Sequence, residues 1–152
     1  MTLAVNILLP QGANDSGWLS MRLALWPEAT SPEHLAGMTD SIARGHYIRL
    51  AKTTDGAVAG FVEASKRVDY VNGTSTSPVA FLEGLYVVAE YRRLGVARAL
   101  VKSVIEWARA EGCRELASDS LLENSEAHDA HRALGFEETE RVVYFRRALS
   151  DV

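Results

Sequence analysis

The order of apolar segments predicts an α/β fold of mixed, α+β character, and three observations carry this. Two partly alternating apolar runs, 47–53 and 57–64, flank Asp55-Gly56, a pair suited to a tight antiparallel turn. A nearly continuous apolar run, 79–88, leads through Arg92-Arg93-Leu94-Gly95 into a helical pattern. After that helix, short strand and helix signals alternate, as in parallel crossover units.

The elements follow in order. Residues 3–9 read as a first strand, closed by Pro10 and Gly12. Asp15 or Ser16 caps a helix through Trp18, Leu19, Leu23 and Trp26, and Pro27 stops it. Ser31-Pro32-Glu33-His34 opens a second helix with Leu35, Met38 and Ile42 on one face and Gly45 at its end. The polar stretch 66–78, with Asn72-Gly73, is a loop or a second hairpin tip between strands. A helix over 96–110 is stopped by Gly112; then come a short strand at 115–118, a helix over 124–134 ended by Gly135, and a final strand at 142–146. With no repeat, low-complexity tract or linker, a single domain over residues 1–152 is expected.

Composition narrows the function classes. The chain has 152 residues, enough for one core, and its 47% hydrophobic and 24% charged content is that of a soluble globular protein. A net charge of −4 argues against a nucleic-acid partner, which selects a basic face, and suits a cationic substrate, although so small an excess decides little alone. The one cysteine, Cys113, excludes an intramolecular disulfide and reads as a buried structural thiol rather than a nucleophile. The apolar run 3–9 lacks a basic leader and a cleavage site, and no stretch approaches the roughly 18 apolar residues of a membrane span. A soluble cytoplasmic protein is the expectation.

The chemistry starts at Arg92 to Ala97. A strand entering a glycine-bearing turn and then a helix suits phosphate binding, because the first helix amides lack intrahelical partners and the dipole adds positive charge. Arg92 and Arg93 supply full charges, and Gly95 permits close backbone approach. The same six residues also fit an ordinary glycine-containing connection with two solvated arginines. They are neither a Walker loop nor a Rossmann fingerprint, since Gly-Lys-Ser/Thr and the three-glycine spacing are both missing.

What Arg92-Arg93-Leu94-Gly95-Val96-Ala97 resembles is the Arg/Gln-x-x-Gly-x-Gly/Ala signature of the GNAT superfamily of acetyltransferases. Leu82-Glu83-Gly84-Leu85-Tyr86-Val87 resembles that family's splayed strand, where Gly84 suits a bulge that frees backbone groups for an extended pantetheine arm. Asn124, ahead of a helix ending in Leu134-Gly135-Phe136, matches the family's pantetheine-binding asparagine. The resemblance covers nearly the whole chain. It implies a GNAT fold with a mixed, mostly antiparallel sheet of about seven strands and about four helices, splayed at the cofactor strand. It also implies acetyl-CoA as donor, with Leu85, Tyr86, Val87, Arg92, Arg93, Leu94, Gly95, Val96, Ala97 and Asn124 as its binding residues. One departure is His131, five residues before Phe136, where many members carry a tyrosine that protonates the leaving thiolate. A histidine can act as an acid near neutral pH, but one on a helix face is more often structural, so His131 stays outside the catalytic set.

Longer segments resemble one branch, the aminoglycoside 6′-N-acetyltransferases of bacterial resistance. These are Leu25-Trp26-Pro27, Asp69-Tyr70-Val71-Asn72-Gly73, Ser77-Pro78-Val79, Phe81-Leu82-Glu83-Gly84, Ala117-Ser118-Asp119 and Gly135-Phe136 through Val142. The resemblance implies that Trp26, Tyr70, Glu83, Asp119 and Glu140 line the acceptor pocket, for an antibiotic such as kanamycin or tobramycin, and that the enzyme is a homodimer. A polycation calls for carboxylates and flat aromatic faces, which these residues provide. The bland readings differ by residue. Trp26 before Pro27 can cap the core, Asp119 can cap a turn, and Glu140 can be solvated. Tyr70 in a polar loop is harder to dismiss, and Glu83 in an apolar strand hardest, because a buried carboxylate needs a partner. Glu83 is the first candidate base and Asp119 the second, with the Leu85 backbone N–H as oxyanion donor. The alternatives are transfer to another amine, such as a polyamine or a protein N-terminus, or a non-catalytic acyl-CoA-binding module. No zinc site is expected, since His128 and His131 lack further ligands nearby.

Overall fold

The computed structural model describes residues 1–150, which fall into two compact units, Met1–Asp119 and the residues from Ser120 onward. The first unit holds β1 (Val5–Leu8), α1 (Ser16–Leu25), α2 (Ser31–Ala43), β2 (Tyr47–Thr53), β3 (Val58–Arg67), β4 (Val79–Val87), a 3-10 turn (Ala89–Tyr91), α3 (Val96–Ala110) and β5 (Leu116–Ala117). The second holds α4 (Ser125–Ala133). No helix among the described residues is long and apolar enough to cross a membrane.

The five strands form one sheet in the order β1-β2-β3-β4-β5, antiparallel except for the parallel β4–β5 pair that α3 connects. Local chemistry sets the boundaries. Asp15 caps α1 by accepting the Trp18 N–H at 3.0 Å, and it also takes the Gln11 N–H at 2.9 Å. Burial pushes the Asp15 carboxyl up, but the N–H groups of Gln11, Trp18 and Gly17 with the charge of Lys52 outweigh it, so its pKa lies below the usual value. Thr30 caps α2 through the Glu33 N–H, with Pro32 in the first turn. The Asp55-Gly56 turn joins β2 to β3 as expected.

Alternation along β3 sorts the two faces of the sheet. Phe61 joins Trp18, Met21, Met38, Ile48 and Leu50 in a core beneath α1 and α2. On the other face, Leu100 of α3 lies against Gly60, and Lys66 reaches Glu111, which caps the C-terminus of α3, at 3.2 Å. Glu63 therefore sits on the α1 face, in the apolar core, at 2% exposure. It survives there because it is fully partnered. Arg22 Nη1 donates to both its oxygens at 2.7 and 2.6 Å, and Trp18 Nε1 donates to Oε2 at 2.8 Å.

Two expectations need correction. Among the described residues the sheet has five strands rather than about seven, and residues 142–146 are not a strand. Residues 136–150 form neither helix nor strand, and Val143, Tyr144 and Phe145 are largely exposed. The apolar run has the composition of a strand, but among the described residues nothing pairs with it, and ladder hydrogen bonds rather than composition make a strand.

Removing one partner of the buried pair leaves the other charge uncompensated. Glu63→Ala is thus expected to lower unfolding free energy by about 3–5 kcal/mol, read as a lower urea midpoint at unchanged slope. A midpoint within error of the parent would show that Arg22 is satisfied without Glu63.

Candidate active site

The site is organised by a break in the β3–β4 ladder. Glu63 pairs with Gly84, but Ala64 pairs with Leu82, so Glu83 is an extra residue on β4. A bulge of this kind puts two consecutive side chains on one face. Glu83 meets Ser65 and Arg67, which lie on the α1 face of β3, and Gly84 lies against Trp26 at the end of α1. A Cβ at position 84 would come within 2.6 Å of the Trp26 ring, so only glycine allows the indole to rest there.

The bulge also reverses which edge of β4 each backbone group faces. Before it, Ala80 donates its N–H to Glu115, toward β5, at 3.0 Å. After it, Val88 donates to Ala59, toward β3, at 2.8 Å. Alternation then turns Leu85 and Val87 away from β3. β5 pairs with β4 only at Ala80 and Phe81, so this outer edge has no strand neighbour among the described residues. Arg92 Nε donates to the Val87 carbonyl from that side at 2.9 Å, and its guanidinium lies 5.5 Å from the Tyr86 ring centre.

The chain then enters α3 through Arg92 to Gly95. Arg93 has φ of 62° and Gly95 has φ of 84°, two left-handed residues separated by one. A non-glycine residue held there marks a backbone shaped for something other than its own ease. Left-handed residues in a turn of this kind can direct N–H groups toward an anion, and Gly95 gives α3 no side-chain cap, leaving its first amides open. The turn is pinned from behind by the Leu3 N–H, which donates to the Leu94 carbonyl at 2.9 Å.

A cavity of about 850 Å³ has Trp26, Glu63, Arg67 and Glu83 in its wall on the α1 face, and Lys66, Trp107 and Glu111 in its wall from the α3 side. Glu83 Oε1 accepts from Ser65 Oγ at 2.6 Å and from Arg67 Nη2 at 2.9 Å, which fixes the carboxylate and leaves Oε2 without a donor among the described residues. Arg67 in turn covers the Phe81 ring at 3.7 Å. The wall is charge-balanced rather than simply acidic: Glu63 pairs with Arg22, Asp40 with Arg44, Glu111 with Lys66 and Glu83 with Arg67.

The predicted residues are thus partly gathered. Trp26 and Glu83 share the cavity, and Leu85 to Val87 run into the Arg92–Ala97 turn. Tyr70 and Asp119 are exposed and lie outside the cavity wall. In the second unit, Asn124 caps α4 by accepting the Ala127 N–H at 3.1 Å, and Glu140 is exposed. His131 Nδ1 lies 2.6 Å from the Ala127 carbonyl, with its ring edge-on to Phe136. Cys113 is buried, and burial raises its thiol pKa, with Glu111 adding to the effect and Lys66 opposing it, so it is a packing residue. Sequence reasoning missed Arg22, His34 and Glu63. The signal for Glu63 was the one that exposed Glu83, a carboxylate inside an apolar strand.

A left-handed turn into an uncapped helix, beside a bulged strand with one free edge, defines a transferase of the acyl-CoA-using type. Residues 18–136 match the model of the acetyltransferase (GNAT) family, and the chain belongs to that family. It is 53% identical, over 90% of its length and 89% of the relative's, to aminoglycoside N(6′)-acetyltransferase type 1 of Stenotrophomonas maltophilia. Among solved structures, aminoglycoside 6′-N-acetyltransferase AAC(6′)-Ih of Acinetobacter baumannii superposes with a TM-score of 0.90 at 46% identity, covering 97% of this chain and 100% of that one. AAC(6′)-Iy in complex with the bisubstrate analogue CoA-S-monomethyl-acetylneamine superposes with a TM-score of 0.87 at 40% identity, covering 96% and 99%.

The loop between β3 and β4 is tied down by a titratable group. Glu115 accepts the N–H groups of Ser75 and Thr76 at 3.0 and 2.8 Å, and the Thr76 hydroxyl. The hydroxyl bond, then those N–H groups, hold its pKa below the ordinary 4.5 against a smaller opposing effect of desolvation. A depressed carboxyl stabilises the folded loop above its unfolded pKa and loses that contribution as pH falls through the folded value. Exchange protection of the Ser75 and Thr76 amides should therefore hold from neutrality down to about pH 5 and fall below it, and Glu115→Gln should abolish the pH dependence. Equal protection in the two proteins at every pH would rule this clasp out.

Proposed function

We propose that this chain is an aminoglycoside 6′-N-acetyltransferase, moving an acetyl group from acetyl-CoA to the 6′-amine of the antibiotic. The observation that carries the reading is the bulge at Glu83. It sets a fixed carboxylate and the Trp26 ring beside the open β4 edge that leads into the Arg92–Ala97 turn. The curated relative and the bisubstrate complex support the same acceptor and donor.

Acetyl-CoA supplies the acetyl group as an activated thioester. The backbone of Leu85, Tyr86 and Val87 holds the pantetheine arm as an added strand, with Asn124 completing that set. The backbone of Arg93 to Ala97 and the two arginines hold the pyrophosphate. Trp26, Tyr70, Glu83, Asp119 and Glu140 bind the acceptor. Glu83 Oε2 takes a proton from the 6′-ammonium, directly or through a water, because the nitrogen has no lone pair until it is lost. The Leu85 N–H donates to the acetyl carbonyl oxygen as charge develops on it. The N–C bond forms, the C–S bond breaks, and the second proton that the nitrogen sheds passes to the leaving thiolate, directly or through water, to give free CoA. Acetylation removes a cationic hydrogen-bond donor from the drug, which is a physical basis for resistance.

On this reading residues 1–152 act as one acetyltransferase domain, which the reach of the family match into both units supports. The enzyme works in the cytoplasm as a homodimer. Support for a partner copy comes from Val143, Tyr144, Phe145 and Leu149, whose exposed apolar surface such a copy would cover.

Release of free CoA from acetyl-CoA separates the alternatives when measured with kanamycin, tobramycin, spermidine and a peptide. Release with the two antibiotics is expected; release with spermidine alone would make the chain a polyamine acetyltransferase, and none with any amine would leave an acyl-CoA-binding module. Glu83→Gln should lower kcat/KM for kanamycin by roughly 10²–10⁴-fold. Normal turnover by that variant at neutral and alkaline pH would remove Glu83 as the base.

A further inference from the structure

We propose that Arg22, clamped between Glu63 and His34, is a positioning residue that fixes the indole plane of Trp26 at the acceptor site. The inference rests on the reading above that Trp26 contacts the acceptor.

Arg22 lies one helical turn before Trp26, and its guanidinium carbon sits 4.9 Å from the indole centre. Nη1 is anchored on both oxygens of Glu63, and Nε donates to His34 Nδ1 at 3.2 Å. Arginine offers only donors, so His34 Nδ1 must be the unprotonated nitrogen. The ring proton is then on Nε2, which donates to the Trp26 backbone carbonyl at 3.0 Å. His34 is 2% exposed, and its ring stacks on the indole with centroids 6.3 Å apart and planes 19° apart. Phe61 meets the indole edge-on from the core side, and Gly84 lies beneath it. Trp26 is thus held by His34 at its carbonyl and its ring and by Arg22 on its ring, and His34 is itself anchored on that guanidinium.

A second feature points the same way. Gly37 lies inside α2, where glycine weakens a helix relative to alanine. A Cβ there would approach Arg22 Nη2 to 2.8 Å, inside van der Waals contact. α2 forgoes helix propensity at a position where a methyl group would crowd the guanidinium in its seat.

The test exploits that methyl. Gly37→Ala should remain folded with a Tm close to the parent's, because the methyl meets Nη2 rather than the Nη1 that holds Glu63, and the gain in helix propensity offsets the cost of shifting the guanidinium. Its KM for kanamycin should nevertheless rise about fivefold to tenfold, with KM for acetyl-CoA within about twofold of the parent's. Arg22→Lys, which keeps a charge for Glu63 but loses the fork to His34, should give the same split. In a Trp26→Ala background, Gly37→Ala should add nothing, since coupled residues are not additive. An unchanged kanamycin KM in Gly37→Ala while Trp26→Ala raises it would overturn the positioning role alone, as would equal increases with and without Trp26. An unchanged kanamycin KM in Trp26→Ala would overturn the acceptor reading of that residue and this role with it.

Discussion

A single inserted residue on β4 sets most of what is distinctive here. In an uninterrupted ladder, side chains alternate faces and backbone groups alternate edges, so Glu83 and Gly84 would point to opposite sides of the sheet. Because β4 carries one residue more than β3 across Ala64, both lie on the α1 face, and the hydrogen-bonding phase of the strand reverses. The reversal turns Leu85 and Val87 outward where β5 no longer covers the edge. One local defect therefore produces a cavity-lining carboxylate, a seat for the Trp26 ring and a free backbone edge within a few residues of each other.

The second constraint is the buried charge next to that defect. Replacing a buried ion pair by packed apolar groups is often neutral or stabilising, so stability alone does not explain Glu63 with Arg22. The pair does more than neutralise itself. Glu63 spends one oxygen on Trp18 of the core and both on Arg22, whose remaining surface meets His34 and Trp26. The network links the interior of α1 to the residue at its exposed end. It converts a helix terminus, ordinarily the part that frays, into a fixed wall of the cavity.

The turn and the cavity are held by different means. At Arg93 and Gly95 the backbone itself shapes the turn, through left-handed conformations buttressed by the Leu3–Leu94 bond. The cavity wall is held by side chains that neutralise one another in pairs. Glu83 has one oxygen already satisfied, so the direction of the other is fixed within the fold.

Much of this was legible in the residues themselves because it depends on local chemistry. Asp15, Pro32, Asp55-Gly56 and Gly112 set element ends through local chemistry, and the turn from Arg92 to Ala97 carries its own charges and glycine. Glu83 stood out as a carboxylate in an apolar run, and Gly84 as a residue suited to a bulge. What the sequence could not supply was register, since an extra residue is defined only against the strand it faces. Nor could it show that Glu63, Arg22 and His34 meet at Trp26, because these residues come from β3, α1 and α2 and converge only on packing. The run at 142–146 shows the same limit from the other side: apolar composition specifies the capacity to form a strand, but a strand exists only where another edge completes its hydrogen bonds.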